Sequence, residues 1–336
     1  MTFWLSFKVL FRHGFDVIHA SNPPDMFFMI GMFYRLLGKK YVFDQHDPAP
    51  ELCQVIFKGH MKLLHKLLLF FERCSYKTAH VVIASNVSQA GFAIKRGHCS
   101  PDLVFVVRNG PDLSCLKVVT PEPDLKAGRH YLLAYLGEMA IQDGVEYALY
   151  ALHDLVYKRD RKDVSLVLMG DGNYLPTLQK LAHELQLDEY VNFNGWTNRT
   201  DIVRYLTVAD VGLIPDPQNG LNEFCTMMKT MEYMAMGKAI VAFDLAETRF
   251  SAQDAALYAL PNRVEDFANK IEMLLADEEL RIRMGMFGRK RIEDELSWDH
   301  SKEHLLRAYK NLFPENFESL VPASENIIDE EIGIYQ

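Results

Sequence analysis

The chain has 336 residues, a length typical of two domains of roughly 100–200 residues each. Hydrophobic residues make up 49% of it and charged residues 24%, an ordinary globular composition that excludes a disordered, collagen-like or coiled-coil protein. With 36 basic and 45 acidic residues the formal net charge is −9, which argues against a general nucleic-acid-binding protein.

The cysteines and the apolar runs indicate the cellular compartment of the protein. The five cysteines are scattered without C-x-x-C spacing, so we expect reduced thiols and no structural zinc. No apolar run reaches the ~20 residues that span a bilayer. Residues 1–11 lack the basic start and long apolar stretch of a signal peptide. We therefore expect a cytoplasmic protein.

Short runs of β-branched residues alternate with helical stretches in the first third of the chain. The runs predict buried parallel strands at 17–20, 41–43, 81–84 and 103–107. The stretches predict helices at 26–37, 60–77 and 87–96. A segment with prolines and mixed charge at 119–128 predicts a linker, so the first domain is expected to cover residues 1–118.

A second alternating series follows the linker and predicts a domain at 129–296. Its strands are predicted at 132–136, 164–169, 191–193, 211–214 and 239–243. Its helices are predicted at 145–158, 175–186, 201–207 and 226–236, with two or three more between 264 and 313. A closing helix at 297–313 is expected to return to the first domain, before an acidic tail at 314–336.

Strands that alternate with helices form parallel sheets covered on both faces. The chain is therefore predicted to fold as two Rossmann-like, doubly wound α/β domains that face a cleft. In such domains ligands bind beyond the carboxyl ends of the strands. Candidate functional residues are accordingly those that directly follow a predicted strand.

Several polar or glycine-containing segments stand at these strand ends. His46 follows the strand at 41–43, and Gly137 ends the first strand of the second domain, where a glycine lets a ligand approach the backbone. Gly170-Asp171-Gly172 ends the next strand. Each of these residues is also compatible with an ordinary cap or turn. None forms a G-x-G-x-x-G fingerprint, which disfavours a dinucleotide-dependent dehydrogenase.

The strongest motif runs from Asn219 to Ala242 as a polar loop, a helix, a glycine and a buried strand. A helix N-terminus presents unpaired N–H groups and a partial positive charge, which suit a phosphate. Lys229 and Glu232 are three residues apart and share a face of this helix. Glu232 stands among apolar residues and needs a partner, which two ligand hydroxyls can supply. The alternative is an exposed helix face with a salt bridge.

This segment resembles the donor-site signature of the family-four retaining glycosyltransferases, which have the GT-B fold. Glu232-Tyr233-Met234-Ala235-Met236-Gly237-Lys238-Ala239-Ile240-Val241-Ala242 matches the second half of that signature, in which a Glu and seven residues precede Glu-Ala-Met-Ala-x-Gly-x-Pro-Val-Val-Ala. Further landmarks of the family appear in order: the pair His46-Asp47, then Arg108-Asn109-Gly110, Gly137, and Gly170-Asp171-Gly172. The resemblance covers about residues 14–313.

The resemblance implies a hexosyltransferase-like enzyme (EC 2.4) of polysaccharide biosynthesis. Such an enzyme moves a sugar from a nucleoside-diphosphate sugar to an acceptor, retains the anomeric configuration and needs no metal or other cofactor. The nucleotide sugar would bind the second domain and the acceptor the first. His46 would be catalytic, in contact with the donor sugar, and Glu232 would bind the ribose hydroxyls. The donor-binding residues implied are Gly137, Asn222, Phe224, Cys225, Thr226, Met227, Met228, Lys229 and Glu232, with the backbone of 224–228 facing the diphosphate.

Two departures from the family pattern fall on the donor site. Phe224 stands where the first Glu of the signature is expected, and Glu223, one residue earlier, is predicted to replace it as a catalytic residue. Glu138 and the Gln142-Asp143 pair stand where the family has an Arg and a Lys that grip the diphosphate. We hypothesise that Lys229 supplies part of this positive charge.

A third departure concerns the first domain, because the opening strand and glycine-rich loop of the family have no counterpart before Phe15. We expect an N-terminally truncated first domain, in a natural short form or a fragment. This truncation, with Glu138 and Asp143, favours one alternative function, a catalytically weak relative that binds a nucleotide sugar. Another alternative is a nucleotide-sugar epimerase of the same fold.

Residues 60–73 combine lysines with leucines and phenylalanines and predict an amphipathic helix. Such a helix can lie on an anionic membrane surface, here the inner face of the membrane, where it would suit a lipid-linked acceptor. The alternative is a core helix whose lysines face solvent. The expected partners are a nucleotide sugar and a glycan or lipid-linked acceptor, and no nucleic acid.

Overall fold

A computed structural model of the chain describes residues 1–314, which form two α/β units. The first unit contains Met1–Asn109 together with the described chain from His300 onward, and the second contains Gly110–Asp299. Except for its first residue, the predicted tail at 314–336 lies outside the described residues.

The first unit is built on four parallel strands, as predicted. The strands are β1 (Val17–Ser21), β2 (Lys40–Gln45), β3 (Val81–Ala84) and β4 (Val104–Val106). They pair in the order β1-β2-β3-β4. The helices of this part of the chain are α1 (Thr2–His13), α2 (Phe28–Leu36), α3 (Ala49–Ile56), α4 (Lys62–Thr78) and α5 (Val87–Gly91). Helices α1 and α3 were not predicted.

The second unit holds a six-stranded parallel sheet. Its strands are β5 (Tyr131–Leu136), β6 (Val164–Met169), β7 (Val191–Gly195), β8 (Val211–Ile214), β9 (Ala239–Phe243) and β10 (Ala256–Ala259). They pair in the order β10-β9-β8-β5-β6-β7. The helices are α6 (Val145–His153), α7 (Leu175–Glu184), α8 (Arg199–Val208), α9 (Met228–Ala235), α10 (Ala246–Ala252), α11 (Val264–Ala276) and α12 (Glu278–Arg291). Strand β10 and helix α10 were not predicted.

Apolar side chains cover both faces of the larger sheet. Along β5, Leu133 and Tyr135 join one hydrophobic cluster, whereas Leu132, Ala134 and Leu136 join the cluster on the opposite face. Successive residues of a strand point to opposite faces, so a strand buried on both sides must be apolar throughout. This explains why continuous apolar runs predicted β6, β8 and β9 with their exact bounds.

The segment predicted as a linker packs onto the second unit, and the two units divide at Asn109 and Gly110 instead of at residue 118. Leu116 is fully buried in the second unit's core. The Val119 N–H donates to the Thr207 hydroxyl (3.3 Å). These contacts make residues 110–128 part of the second unit. Prolines and charged residues interrupt this segment, but its leucines still pack in or against the core of that unit.

The last described helix, α13 (Trp298–Leu312), returns the chain to the first unit. Its Ala308 and Leu312 are buried against Val42 of β2 and Val81 of β3. The other face of that sheet packs against a separate cluster that contains Tyr41. Both sheets are thus covered on both sides, and the predicted pair of Rossmann-like α/β domains is confirmed. Among residues 1–314, no helix has the length and apolar character that crossing a membrane requires.

Candidate functional site

The carboxyl ends of β5, β6 and β7 form a small cavity in the second unit. The Gly137 N–H donates to the Met169 carbonyl (3.0 Å), and the Gly170 N–H donates to that of Gly195 (2.8 Å). The cavity beside them has a volume of about 230 Å³. It is lined by Leu136, Gly137, Glu138, Met169, Gly170, Asp171, Trp196 and Thr197. Trp196 is 78% exposed, so its ring is accessible to a ligand.

Two glycines allow these strand ends to approach one another closely. Gly137 and Gly170 have φ angles of 146° and 147°, a conformation that L side chains rarely adopt. A Cβ on Gly170 would lie 1.8 Å from the Gly137 carbonyl oxygen, and a Cβ on Gly137 would lie 3.3 Å from Cε of Lys229. The backbone is therefore bare at the point where a ligand would meet the end of β5.

Helix α9 begins two residues later than predicted. We expected a helix from residue 226, but Cys225 and Met227 have extended backbone conformations and α9 starts at Met228. Met227 and Met228 both favour helices, so the sequence does not indicate that the helix begins only at Met228. The helix N-terminus that was expected to cradle a diphosphate therefore lies at Met228, and Thr226 belongs to the loop before it.

The loop before α9 is anchored by Asn222. This residue opens a short 3-10 turn, Asn222–Phe224, and its side chain is buried. The Asn222 Nδ2 donates to the carbonyls of Gln142 (2.8 Å) and Pro217 (2.9 Å). Asn222 was predicted to bind the donor directly, but these bonds commit its amide to two neighbouring loops. These bonds hold the loop in place, and donor binding by Asn222 stays a prediction.

Two of the backbone N–H groups predicted to face a diphosphate are used within the loop. The Phe224 N–H donates to the Leu221 carbonyl (3.0 Å), and the Cys225 N–H donates to that of Asn222 (3.3 Å). Because both N–H groups already close turns, they cannot also bind a ligand without opening them. A diphosphate contact by the N–H groups of Phe224 and Cys225 therefore stays a prediction that requires these turns to open.

The amino end of α9 is the part of this segment best suited to an anion. The first N–H groups of an α-helix lack intrahelical acceptors. In α9 these belong to Met228 and Lys229, whereas the Thr230 N–H already donates to the Met227 carbonyl (3.0 Å). Before the helix, the Thr226 hydroxyl lies 3.5 Å from a carboxylate oxygen of Glu247.

Lys229 is buried beside Gly137 and forms an ion pair that was not predicted. Its Nζ donates to both carboxylate oxygens of Asp216 (2.9 and 2.8 Å) and lies 4.8 Å from the centroid of the Tyr135 ring. Burial lowers the pKa of Lys229, but the charges of Asp216 and Asp143 outweigh it and raise the pKa above its ordinary value. Lys229 is thus cationic, with Asp216 balancing its charge.

Acidic groups dominate the same edge of the sheet. Burial raises the pKa of Asp143 to about 6, although Lys229 lowers it, and its carboxylate accepts the Ala140 N–H (2.9 Å). Glu138 lines the cavity. Lys229 lies beside Gly137, where the resemblance leads one to expect an Arg and a Lys, and Asp216 shares its charge.

Replacing Lys229 by Met is expected to destabilise the second unit by about 3–5 kcal/mol, because Asp216, 1% exposed, would lose its only ion-pair partner among residues 1–314. Chemical denaturation measures this loss. The double substitution Asp216→Leu with Lys229→Met removes both charges and should recover most of the stability. Nucleotide affinity of the double variant then separates the roles of Lys229: wild-type affinity would contradict the hypothesis that Lys229 binds the diphosphate.

Glu232 lies on α9, one turn beyond Lys229, and is largely buried. Its carboxylate is 16% exposed and lies 3.7 Å from Nη1 of Arg199. Burial raises the pKa of Glu232, and the charge of Arg199 offsets part of this shift. Arg199 comes two residues after Thr197, which lines the cavity. Glu232 therefore has one distant cationic partner, and that partner is two residues from Thr197 of the cavity wall.

Glu223 lies on the short turn before α9 and has one unsatisfied carboxylate oxygen. Its Oε2 is buried without a hydrogen-bond partner within residues 1–314. Burial and the nearby charge of Asp244 raise the pKa of Glu223, and a hydrogen bond with Gln218 opposes this shift. A carboxyl group in this state favours its protonated form more than a solvated Glu does.

In the first unit, His46 belongs to a hydrogen-bonded chain at the carboxyl ends of β1 and β2. Asp44 Oδ2 lies 3.0 Å from Nε2 of His46 and 2.9 Å from Nε2 of His19. The His19 Nδ1 lies 2.8 Å from the Tyr309 hydroxyl of α13. The His46 backbone N–H donates to the Asn22 side chain (2.8 Å). His46 is thus fixed at both its backbone and its ring.

The charges of Asp44 and His46 in this hydrogen-bonded network stabilise each other. Burial alone would raise the pKa of Asp44, but the hydrogen bonds from His19 and His46 outweigh it and hold that pKa well below its usual range. The bond to Asp44 raises the pKa of His46, against the effect of burial. Sequence reasoning found His46 but missed Asp44, which is the last but one residue of β2, and His19, which lies in the middle of β1.

Metal binding has no evident centre in the described chain. Within residues 1–314, no group of three or more His, Cys, Asp or Glu side chains is placed to hold a metal ion.

Family models match both units. A model described as Glycosyltransferase Family 4 matches residues 2–114, and one described as Glycosyl transferases group 1 matches residues 130–277. Together they cover most of the chain, and their border falls near the division between the two units.

Curated relatives are similar over different lengths. The chain is 28% identical to an alpha-D-kanosaminyltransferase of Streptomyces kanamyceticus over 155 residues, which are 46% of this chain and 38% of that protein. It is 22% identical to an uncharacterized glycosyltransferase of Methanocaldococcus jannaschii, over 88% of this chain and 75% of that protein. It is 26% identical to an alpha-maltose-1-phosphate synthase of Mycolicibacterium smegmatis, over 72% of this chain and 65% of that protein. The match thus spans less than two thirds of two of these relatives.

Solved structures share the fold. A sucrose-phosphate synthase from Thermosynechococcus elongatus superposes with a TM-score of 0.75 at 18% identity, covering 93% of this chain and 77% of that one. HepE from Anabaena, solved in complex with UDP, superposes with a TM-score of 0.73 at 17% identity, covering 91% of this chain and 81% of that one. At these identities the likeness concerns the fold alone.

Proposed function

We propose, since this chain belongs to glycosyltransferase family 4 and has its two-domain GT-B fold, that it transfers a sugar from a nucleoside-diphosphate sugar to a glycan or lipid-linked acceptor with retention of the anomeric configuration. Family membership and fold were both expected from the sequence and are confirmed. The substrates, the stereochemistry and the roles of single residues are the content of the proposal.

The observation that carries the proposal is that Lys229, at the start of α9, lies against Gly137 of the cavity wall, with Glu232 one turn further along the same helix. The volume of the cavity, about 230 Å³, is below the roughly 300–1,000 Å³ of a complete small-molecule site. We therefore assign to the cavity one part of the donor, the nucleobase, beside Trp196. The diphosphate then lies at the bare Gly137 backbone and the first N–H groups of α9. Glu232 accepts hydrogen bonds from the ribose hydroxyls.

The chemistry follows from where charge develops. As the sugar leaves, negative charge builds on the phosphate oxygens of the departing nucleoside diphosphate. N–H groups held in place before the reaction stabilise that charge without reorganising, an effect worth ~3–4 kcal/mol per donor. His46 in the first unit is proposed to contact the sugar, with its ring fixed by Asp44. Glu223 is proposed to replace the first Glu of the family signature.

A nucleotide-sugar-binding protein with little turnover is the second candidate. The pairing of Lys229 with Asp216 favours it, because the only buried lysine of the described chain contributes less positive charge to a diphosphate than an unpaired one would. Glu138 on the cavity wall acts in the same direction.

Calorimetry with UDP and GDP, followed by NMR of UDP- and GDP-sugars with and without glycan acceptors, tests the proposal. We expect one of the two nucleotides to bind, and the sugar to appear on an acceptor with its anomeric configuration unchanged. Failure of both nucleotides to bind would contradict the donor site. Binding without transfer would support the second candidate. A donor whose stereochemistry changes without acceptor would identify an epimerase.

A further inference from the structure

We propose that the outer face of α2 and α4 in the first unit docks on the surface of an anionic lipid bilayer. Helix α4 buries Glu72, Ser75 and Tyr76 on its inner side. On the opposite side it exposes Leu63, Leu67 and Phe70, of which Leu63 is 82% exposed. Their spacing of four and three residues places the three on one stripe of the helix.

Helix α2 continues this apolar surface. It buries Phe28, Gly31 and Tyr34 and exposes a second stripe at Met29, Met32 and Leu36, of which Leu36 is 84% exposed. The two helices lie side by side, because the Phe28 and Phe71 rings are 5.9 Å apart and Arg35 donates to the Thr78 carbonyl (2.6 Å). Both stripes point away from the sheet. We call them together the α2–α4 face.

Positive charge borders the α2–α4 face. The exposed basic side chains of α4 are Lys62, Lys66, Arg73 and Lys77. Within residues 1–314 none of these four forms an ion pair. The only carboxylate on the two helices is that of Glu72, which is buried and paired with Arg96 (2.6 Å). A chain with a net charge of −9 therefore has here two adjacent helices without an exposed carboxylate.

Helix α1 widens the same layer. Phe3 and Phe7 pack on Phe33 of α2, with ring centroids 5.2 and 5.3 Å apart. Helix α1 contains no acidic residue and leaves Trp4 and Phe11 exposed. Aromatic side chains of this kind are typical of the boundary between lipid headgroups and acyl chains.

Several kinds of partner could cover an apolar face. The combination of apolar stripes with flanking basic side chains favours a bilayer among them. Interfacial helices insert their apolar side chains ~5–10 Å below the headgroups, while lysines on the flank reach anionic phosphates. A nucleic acid would use the lysines but not the exposed leucines and methionines. A purely apolar partner segment would use the leucines but leave the unpaired cations unexplained. The 17 residues of α4 lie flat in this arrangement.

Co-sedimentation of the full chain with vesicles tests the proposal. We expect binding to vesicles of phosphatidylcholine with phosphatidylglycerol at low salt, and much weaker binding to phosphatidylcholine alone. The double substitution Lys62→Glu with Lys66→Glu should lower the partition coefficient about tenfold or more, since each lysine near an anionic surface contributes measurably. Added salt should reduce the wild-type partition, because screening shortens the reach of these charges.

A matched control changes the same charge elsewhere. Lys180→Glu with Lys290→Glu reverses two exposed lysines of the second unit and should leave vesicle binding unchanged. Leu63→Ser with Phe70→Ser should weaken binding at every salt concentration, which separates insertion from simple charge attraction. Circular dichroism confirms that each variant is folded. Wild-type protein that ignores anionic vesicles, or a Lys62/Lys66 variant that binds like the control, would overturn the proposal and leave a protein partner as the occupant.

Discussion

Replacing Glu232 by Gln is expected to weaken nucleoside-diphosphate binding about ten- to a hundredfold. A buried carboxylate accepts charge-assisted hydrogen bonds from two neighbouring ribose hydroxyls, each worth about 1.5–3 kcal/mol, and an amide offers one neutral acceptor in their place. The substitution keeps the size of the side chain. It also leaves Arg199, which is half exposed, in contact with solvent, so little stability should be lost. Calorimetry with UDP and GDP measures the change in affinity.

The 2′-deoxy nucleotide makes this test specific for the ribose. Wild-type protein should bind 2′-deoxy-UDP or 2′-deoxy-GDP more weakly than the corresponding ribonucleotide. The Glu232→Gln variant should distinguish the two nucleotides poorly, because it lacks the carboxylate that accepts a hydrogen bond from the 2′-hydroxyl. Glu265→Gln, an exposed carboxylate on α11, is the control and should behave like wild type. If the Glu232 variant discriminates the deoxynucleotide as wild type does, Glu232 does not bind the ribose.

This prediction also bears on the balance of charge in the donor site. Burial raises the pKa of Glu232, so its charged form is costly until a ligand hydroxyl or Arg199 stabilises it. A bound ribose should therefore lower that pKa. Donor affinity is expected to fall as the pH drops through the pKa of free Glu232, because protonation removes the acceptor. The Glu232→Gln variant should lack this dependence.

Much of the fold could be predicted from local patterns. Strands β3, β6, β8 and β9 were predicted with their exact bounds, because each is a continuous apolar run between turn residues. The rule that ligands meet the carboxyl ends of parallel strands predicts Gly137 and His46 as candidate site residues from the sequence alone. Both residues stand at such ends in the structure.

Elements that depend on distant contacts were missed. Helix α1 buries no residue, and its sequence was considered only as a possible signal peptide, although its apolar residues have helical spacing. Helix α3 begins with prolines that suggested a shaped loop, although Pro50 fits the first turn of a helix. The linker prediction failed for a related reason, since Leu116 is buried by the second unit and not by its sequence neighbours.

The side-chain pairs of the candidate site could not be predicted from local spacing. Lys229 and Asp216 are 13 residues apart and belong to different elements, so no helical or strand period joins them. The helix boundary at Met228 is likewise set by the anchored Asn222 loop, because residues 226–228 have no helix-breaking side chain. Sequence patterns predict which residues lie at the carboxyl edge of the sheet. Pairing between side chains at that edge, such as that of Lys229 with Asp216, decides which polar groups can bind a ligand.

Asp44 offers the second large effect, because it fixes the ring of the proposed catalytic His46. Replacing Asp44 by Asn is expected to lower kcat about ten- to a hundredfold with little change in donor KM, the equivalent of one hydrogen bond to a charged group. Asp44 is thereby a positioning residue, since it acts through His46. Initial rates with the donor identified by calorimetry measure the split between kcat and KM.

The pH dependence separates this role from a structural one. The hydrogen bond to Asp44 is the largest cause of the raised pKa of His46, so the imidazolium form persists to higher pH in wild type than in free histidine. The stability that this pair contributes through the raised pKa of His46 is lost as the pH rises through that folded pKa, and the part that comes from the lowered pKa of Asp44 is lost at low pH as Asp44 becomes protonated. In the Asp44→Asn variant the His46 titration, followed by NMR of the ring protons, should shift to lower pH, and any alkaline limb of kcat that reports His46 should shift with it.

Asp47→Asn is the matched control for this shift. Asp47 also raises the pKa of His46, but only through its charge and as the smallest of the causes. The same chemical change at position 47 should therefore move the titration much less than at position 44. Equal shifts for the two variants would show that His46 responds to the general negative charge of this edge. An unchanged titration in Asp44→Asn would show that the hydrogen bond between Asp44 and His46 does not set the state of the ring, and Asp44 would lose its proposed role.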